Sequence, residues 1–260
     1  MNYKRTKEKL GNGIAEIISF QMNDQNSLTK QNMEELGDIL DEIKADSSVK
    51  GVILCTENPK FFCNGLDGDT LLSTPKNELV NAVGGICILF GRMLRFNKPV
   101  VTEVSGHAMG GGAVITSASD YKFMLEAAGR IAFTEVMVGL PLPGMFVNRI
   151  QEVVKPEYHA EVCLEATAYK AKEAKTIGLI DETFPTKEEM RKASFKRLDS
   201  IFRHPMTAIQ TTKEIMNRRT LVDYDYYLNQ AAGWLLNPDI EYNLLEAMKA
   251  MKEKRRPVMR

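Results

Sequence analysis

The sequence predicts an α/β fold, and three observations predict it. Short apolar runs suited to buried strands recur at residues 14–22, 51–55, 100–104, 122–125 and 131–135. Stretches with helical signals separate most of them, and that alternation is the mark of right-handed βαβ crossovers. Beyond about Pro185 the strand signals stop and helical candidates alone remain. The chain therefore reads as an α/β core over residues 1–197 followed by a helical region over residues 198–260.

Taken in order, residues 14–22 alternate as a strand, with Ile18, Phe20 and Met22 on one side. The basic cluster before it, residues 4–9, reads as a solvated helix end. After the Asn26-Ser27 turn, Met33, Leu36, Leu40 and Ile43 recur at three- and four-residue spacing, the stripe of an amphipathic helix capped by Thr29 or Ser27. A strand at 51–55, a helix near 78–94, a strand at 100–104 and a helix from Gly111 follow. Residues 122–125 and 131–135 are further strands, the second ending on Glu135. Four helices at 188–203, 205–218, 221–236 and 240–254 complete the chain, separated by His204-Pro205 and Asn237-Pro238. No Gly-x-Gly-x-x-Gly follows a strand, which weighs against a nucleotide-binding sheet.

Composition removes several function classes. The 34 basic and 34 acidic residues balance, so no global field attracts nucleic acid or anionic lipid. The four cysteines show no paired spacing and read as free thiols of a reducing compartment. The three histidines are far apart and form no metal-binding pattern, so no metal site is expected. No stretch is read as long and apolar enough to span a bilayer, and a cytoplasmic location is the default expectation.

Chemistry concentrates at two glycine turns. Gly110, Gly111 and Gly112 lie between a strand and a helix, leaving the first N–H groups of that helix free to bind negative charge. Upstream, Cys63-Asn64-Gly65-Leu66-Asp67 follows another strand and can aim a second N–H inward. Two such donors on one oxygen make an oxyanion hole. Glu135, at the end of an apolar strand, is hard to explain as surface decoration, and burial there raises a carboxylic acid into the range useful for proton transfer.

These segments, with Asn26-Ser27-Leu28, Lys98-Pro99-Val100, residues 129–139 and the basic tail 252–257, resemble the crotonase (enoyl-CoA hydratase/isomerase) family over nearly the whole chain. The resemblance implies a spiral of ββα turns rather than an open doubly wound sheet, and a C-terminal helical trimerisation region. It assigns the oxyanion donors to the N–H groups of Leu66 and Gly111, and the base to Glu135. The expected substrate is an acyl-CoA thioester, held by Ser27, Leu28, Asn64, Gly65, Leu66, Asp67, Gly68, Asp69, Gly110, Gly111, Val114 and Leu140. Its CoA belongs to the substrate, so no separate cofactor is implied. Homotrimers or dimers of trimers are expected, with helices of an adjacent subunit over part of the acyl pocket and the cations at 252–256 near CoA phosphates.

Position 114 discriminates between reactions. Three residues after Gly111 on a helix, its side chain is expected to face the same pocket. Typical hydratases of the family carry a second glutamate there, and this chain has Val114, which resembles the single-glutamate Δ3,Δ2-enoyl-CoA isomerases. The alternatives are a hydratase or decarboxylase of the same family and, from another class, a non-catalytic acyl-CoA binder or scaffold. Ser105 and His107 are too close along an extended segment to form a nucleophile pair, and Glu103 and Glu126 stand as further acids to be placed.

Overall fold

The computed structural model describes residues 2–260. Strand β1 (Tyr3–Lys9) pairs antiparallel with β2 (Ile14–Phe20), and α1 (Lys30–Ala45) follows. From there the chain winds in repeated turns, each giving one strand to a larger sheet, one short strand to a smaller sheet and then helix. The first turn holds β3 (Val49–Thr56), β4 (Phe61–Cys63), α2 (Gly68–Ser73) and α3 (Lys76–Arg95). The second holds β5 (Val100–Val104), β6 (His107–Met109) and α4 (Gly111–Ala118), and the third begins with β7 (Tyr121–Leu125) and β8 (Ile131–Ala132). Helices α5 (Gly144–Val153), α6 (His159–Leu164) and α7 (Ala171–Ile177) lead to the last strand, β9 (Glu182–Phe184). Then come α8 (Lys187–Ile201), α9 (Met206–Leu221), α10 (Tyr224–Trp234) and α11 (Pro238–Lys252). The sheets run β1-β2-β3-β5-β7-β9 and β4-β6-β8, all parallel after the first pair, as the spiral expectation requires.

Apolar patterning explains the two layers flanking the large sheet. Ile18, Val52, Leu54, Val100 and Val104 point into the main core with α1 and α3, whereas Ala15, Ile53, Val101 and Phe123 pack under α8. Both faces are covered, so these strands read as near-continuous apolar runs. The cap of α1 is Thr29, whose hydroxyl accepts from Asn32 N–H while the Asn32 side chain accepts from Thr29 N–H.

Four readings are corrected. Residues 4–9 form an edge strand, not a helix end. Six of the seven side chains of β1 are exposed, and its charges pair with other elements, Arg5 with Glu16 and Glu42 and Lys7 with Asp46. Charge on an edge strand blocks edge-to-edge pairing, which a composition reading cannot tell from a solvated helix. The strand expected at 131–135 stops at Ala132, and Glu135 opens a 3-10 turn, Glu135–Val138, closed by Gly139 at φ +77°. The first strand ends at Phe20, leaving Met22 in the loop beyond, packed against the core. Finally, α3 is long and apolar enough to cross a membrane by length and composition. Half of it is buried in this fold, against α1, α4, α9 and α10, so its apolar length reflects a core helix packed on several sides.

Candidate active site

A cavity of about 1250 Å³ lies among the loop before α1, the turn after β4, α2, α3, the start of α4, the Glu135–Val138 turn and helices α10 and α11. Its chemistry is set by backbone first. Leu28 and Leu66 form a parallel bridge in which Leu28 N–H donates to Gly65 O at 2.7 Å and Asp67 N–H to Leu28 O at 2.8 Å. Those bonds use the groups on either side of Leu66, whose own N–H has no backbone acceptor among the described residues. Gly65 takes φ +81°, a left-handed conformation that suits glycine.

The second turn abuts the first. Gly110 N–H is committed to Ala132 O at 2.8 Å, and Gly111 opens α4, where helix geometry leaves the first N–H groups without partners. A Cβ at Gly65 would stand 3.3 Å from the Gly111 nitrogen, and one at Gly111 3.4 Å from the Gly65 Cα. Two unoccupied donors on neighbouring turns, one at a helix N-terminus, favour a single developing negative charge on the cavity side.

Glu135 sits beside this pair. A Cβ at Gly110 would be 3.9 Å from Glu135 Oε1 and 2.9 Å from Thr134 Oγ1. The backbone around it is fixed, because Leu140 N–H donates to Glu135 O at 2.9 Å. The residue keeps partial exposure toward the cavity, while its Oε2 is sealed and accepts no hydrogen bond. Burial pushes the carboxyl from 4.5 up to about 7, opposed only by its own backbone N–H. Cys87, also on the wall, is pushed up to about 12 by burial, with the Glu135 charge adding to the rise.

Around this centre, Ser27, Asn64, Leu66 and Leu140 stand on the cavity wall together with Gly68. Asp67 and Asp69 are there too, already engaged. Asp67 Oδ1 caps α2 by accepting from Thr70 N–H at 2.8 Å, and Asp69 pairs with Lys252 at 2.7 Å. Two expected residues lie elsewhere. Leu28 is 1 % exposed and packs beneath Gly111, serving the site through its backbone bridge. Val114 is fully buried in the main core and is not on the wall. The helical offset places 114 on the inward face of α4, and that face is covered by protein.

Other candidates are accounted for away from the cavity. Buried Glu103 makes a bidentate pair with the partly exposed Arg191 of α8, and Glu126 pairs with Lys172. Ser105 donates to Thr56 O, and His107 Nδ1 accepts from Arg130 N–H. Among the described residues no group of three His, Cys, Asp or Glu is placed to hold a metal. In the basic tail, Lys252 lines the cavity, while Arg255 is held by Glu246 and Glu253.

Several contributors escape sequence reasoning. Asn26, at φ +47°, sends its amide to Thr56 Oγ1 and to Phe61 O and Phe62 O, pinning the loop that carries Leu28; an Asn beside a turn is the signal available for it. Trp234 at the end of α10, Leu235 just after it, and Leu244 and Met248 of α11 all belong to this chain, so the chain itself supplies cover that the family resemblance assigns to a neighbour's helices. Leu235, Leu244 and Met248 bury themselves against Leu71 and Leu79, a pairing that no local pattern announces.

A spiral of ββα turns that sets the Gly65–Leu66 and Gly110–Gly111 turns beside Glu135 on one cavity has the architecture of the crotonase fold. The profile of the Enoyl-CoA hydratase/isomerase family matches residues 9–260, and the chain belongs to that family. It is similar to human mitochondrial methylglutaconyl-CoA hydratase, 25 % identical over 256 residues covering 97 % of this chain and 75 % of the relative. Among solved structures it resembles human mitochondrial delta3-delta2-enoyl-CoA isomerase, with a TM-score of 0.88, 20 % identity and coverage of 98 % and 99 %. The enoyl-CoA hydratase from Bacillus anthracis gives 0.77, 25 % identity and coverage of 100 % and 99 %.

Proposed function

We propose that the protein is an isomerase that moves the double bond of a 3-enoyl-CoA to the 2-trans position. Glu135 takes a proton from C2, and the electron pair delocalises onto the thioester oxygen, held by the N–H groups of Leu66 and Gly111. The same carboxyl returns the proton to C4, the C3–C4 double bond becomes C2–C3, and the thioester carbonyl re-forms. One acid-base group suffices because both carbons present one face of a planar dienolate. The carrying observation is that Glu135 stands on the cavity wall beside the Leu66 and Gly111 turns with Oε2 sealed, and burial raises it to about 7, so it can both accept and give back a proton near neutrality. Residue 114, where the resemblance puts a second glutamate in typical hydratases, is an apolar core residue off the cavity wall here, so α4 supplies the cavity with no second acid, which favours isomerisation over hydration.

Assay of the purified protein on matched 3-enoyl-CoA and 2-enoyl-CoA substrates tests this. Isomerisation of the first at least about a hundredfold faster than hydration of the second is expected, since water activation in these sites needs a further positioned group. Faster hydration would reassign the reaction to the hydratase branch.

We further propose assembly as homotrimers, paired or single. Support comes from α9 and α10 and the turns that follow them, where Ile215, Met216, Val222 and Leu236 are each at least 66 % exposed. Light scattering at micromolar concentration is expected to give a mass of three or six chains. A stable monomer would remove the proposal.

A further inference from the structure

Glycine in the middle of a helix costs stability, so a glycine pair there calls for a reason. Helix α3 carries Gly84 and Gly85 at its centre. At Gly85 a Cβ would come within 2.6 Å of the terminal methyl of Met33, so packing of α1 against α3 accounts for that position. At Gly84 it would meet no heavy atom within 4 Å, and Gly84 lines the active-site cavity. Nothing in the protein requires the missing side chain, and its absence keeps open space in the cavity wall.

That space borders a second one. A second hollow of about 110 Å³ lies between α1 and α3, with Met33, Gly85, Ile88 and Leu89 as its apolar lining and Lys30, Glu34, Asn81 and Arg92 as its polar lining, and it shares Asn81 and Ile88 with the main cavity. Gly84 lines the first chamber and Gly85 the second, back to back on one helix. Across the main chamber α10 runs antiparallel to α3. Tyr224 donates its hydroxyl to Cys87 O at one end, and Leu235 joins Leu79 at the other. Between those ends α10 presents Ala231 and Ala232 to the cavity, so small residues stand on both sides of the gap. Ile88, 50 % exposed, gives the gap an apolar edge.

We propose that the Gly84–Gly85 pair is a saddle over which the tail of a long acyl chain crosses α3 into the hollow against α1, and that Gly84 is the residue setting acyl-chain length. The inference rests on the reading of the cavity as a thioester site and adds the class of substrate: long, unbranched acyl thioesters. Gly84→Leu fills the notch without meeting protein at its Cβ, and the helix gains propensity, so the variant is expected to melt at or above the parent temperature.

The test compares kcat/KM on 3-hexenoyl-CoA and 3-dodecenoyl-CoA for the parent, Gly84→Ala and Gly84→Leu. The ratio of long-chain to short-chain activity is expected to fall at least about tenfold in Gly84→Leu and less in Gly84→Ala, as expected when a hydrophobic pocket loses room for methylenes. Calorimetric binding of butanoyl-CoA and dodecanoyl-CoA separates this proposal from the reaction assignment. A selective loss of dodecanoyl-CoA affinity supports the saddle even if the parent isomerises nothing. An unchanged ratio in both measurements, or a parent that prefers the short chain, overturns it.

Discussion

Glu135→Gln is expected to lower turnover at least about a hundredfold while leaving the fold and acyl-CoA binding largely intact. The amide keeps the shape of the side chain and removes the proton acceptor. With the parent, kcat/KM is expected to rise about tenfold per pH unit below 7 and to level off above it, since the base must be ionised and its carboxyl lies at about 7. Stability moves the other way. A carboxyl raised above its ordinary 4.5 lets the folded state hold a proton that the unfolded state has released. Stability present below pH 4.5 is therefore lost as pH climbs through about 7, by roughly 3 kcal/mol in the limit of full burial. The amide of the Glu135→Gln variant has no proton to lose, so thermal melts should show the variant gaining on the parent between about pH 5 and 8. Turnover within a few-fold of the parent would remove Glu135 from the mechanism, and a parallel pair of melting curves would remove its burial as the cause of the shift.

Residues that obey a local rule are legible in the sequence, and those that depend on distant partners are not. Helix α1 is readable because its stripe and its Thr29 cap lie within one segment. Gly65 and Gly110 are readable because positive φ, +81° and +49°, selects glycine whatever surrounds it. By contrast, the 3-10 turn that presents Glu135 depends on Gly139 and on Leu140 N–H returning to Glu135 O, so an apolar run with a terminal acid has the pattern of a plain strand. Position 114 is misplaced by sequence for a related reason. Helical spacing gives the direction of a side chain, but whether that direction meets a cavity or packed protein is decided by the elements opposite, and the main core closes over Val114. The same limit applies to α10 and α11, whose apolar residues carry no local mark to separate a subunit interface from burial against Leu71 and Leu79.

Gly112→Ala should be the most damaging small substitution in the glycine triplet. A Cβ at Gly112 would overlap the carbonyl oxygen of Cys63, and it would stand 3.0 Å from that carbonyl carbon. The obstacle is backbone, so it cannot rotate away. Cys63 ends β4 and leads through Asn64 into Gly65 and Leu66, which means that relief requires moving the Leu66 N–H, the first proposed oxyanion donor, away from Gly111. Overpacking of this kind costs about 3 kcal/mol, and in a chain of this size that corresponds to a fall in melting temperature of roughly 10 °C. Turnover should drop about a hundredfold at temperatures where the variant remains folded, because one of the two proposed oxyanion donors would no longer point at the same oxygen. Gly111→Ala provides the control. Its Cβ would meet Leu28 Cδ1 at 2.7 Å, the far end of a side chain, and the Gly65 Cα at 3.4 Å, an ordinary van der Waals contact, so its loss of stability should be smaller. Melting and single-turnover measurements on the two variants side by side decide the matter: equal behaviour, or a Gly112→Ala protein with parental stability and rate, would show that contact between β4 and α4 does not hold the donors in register.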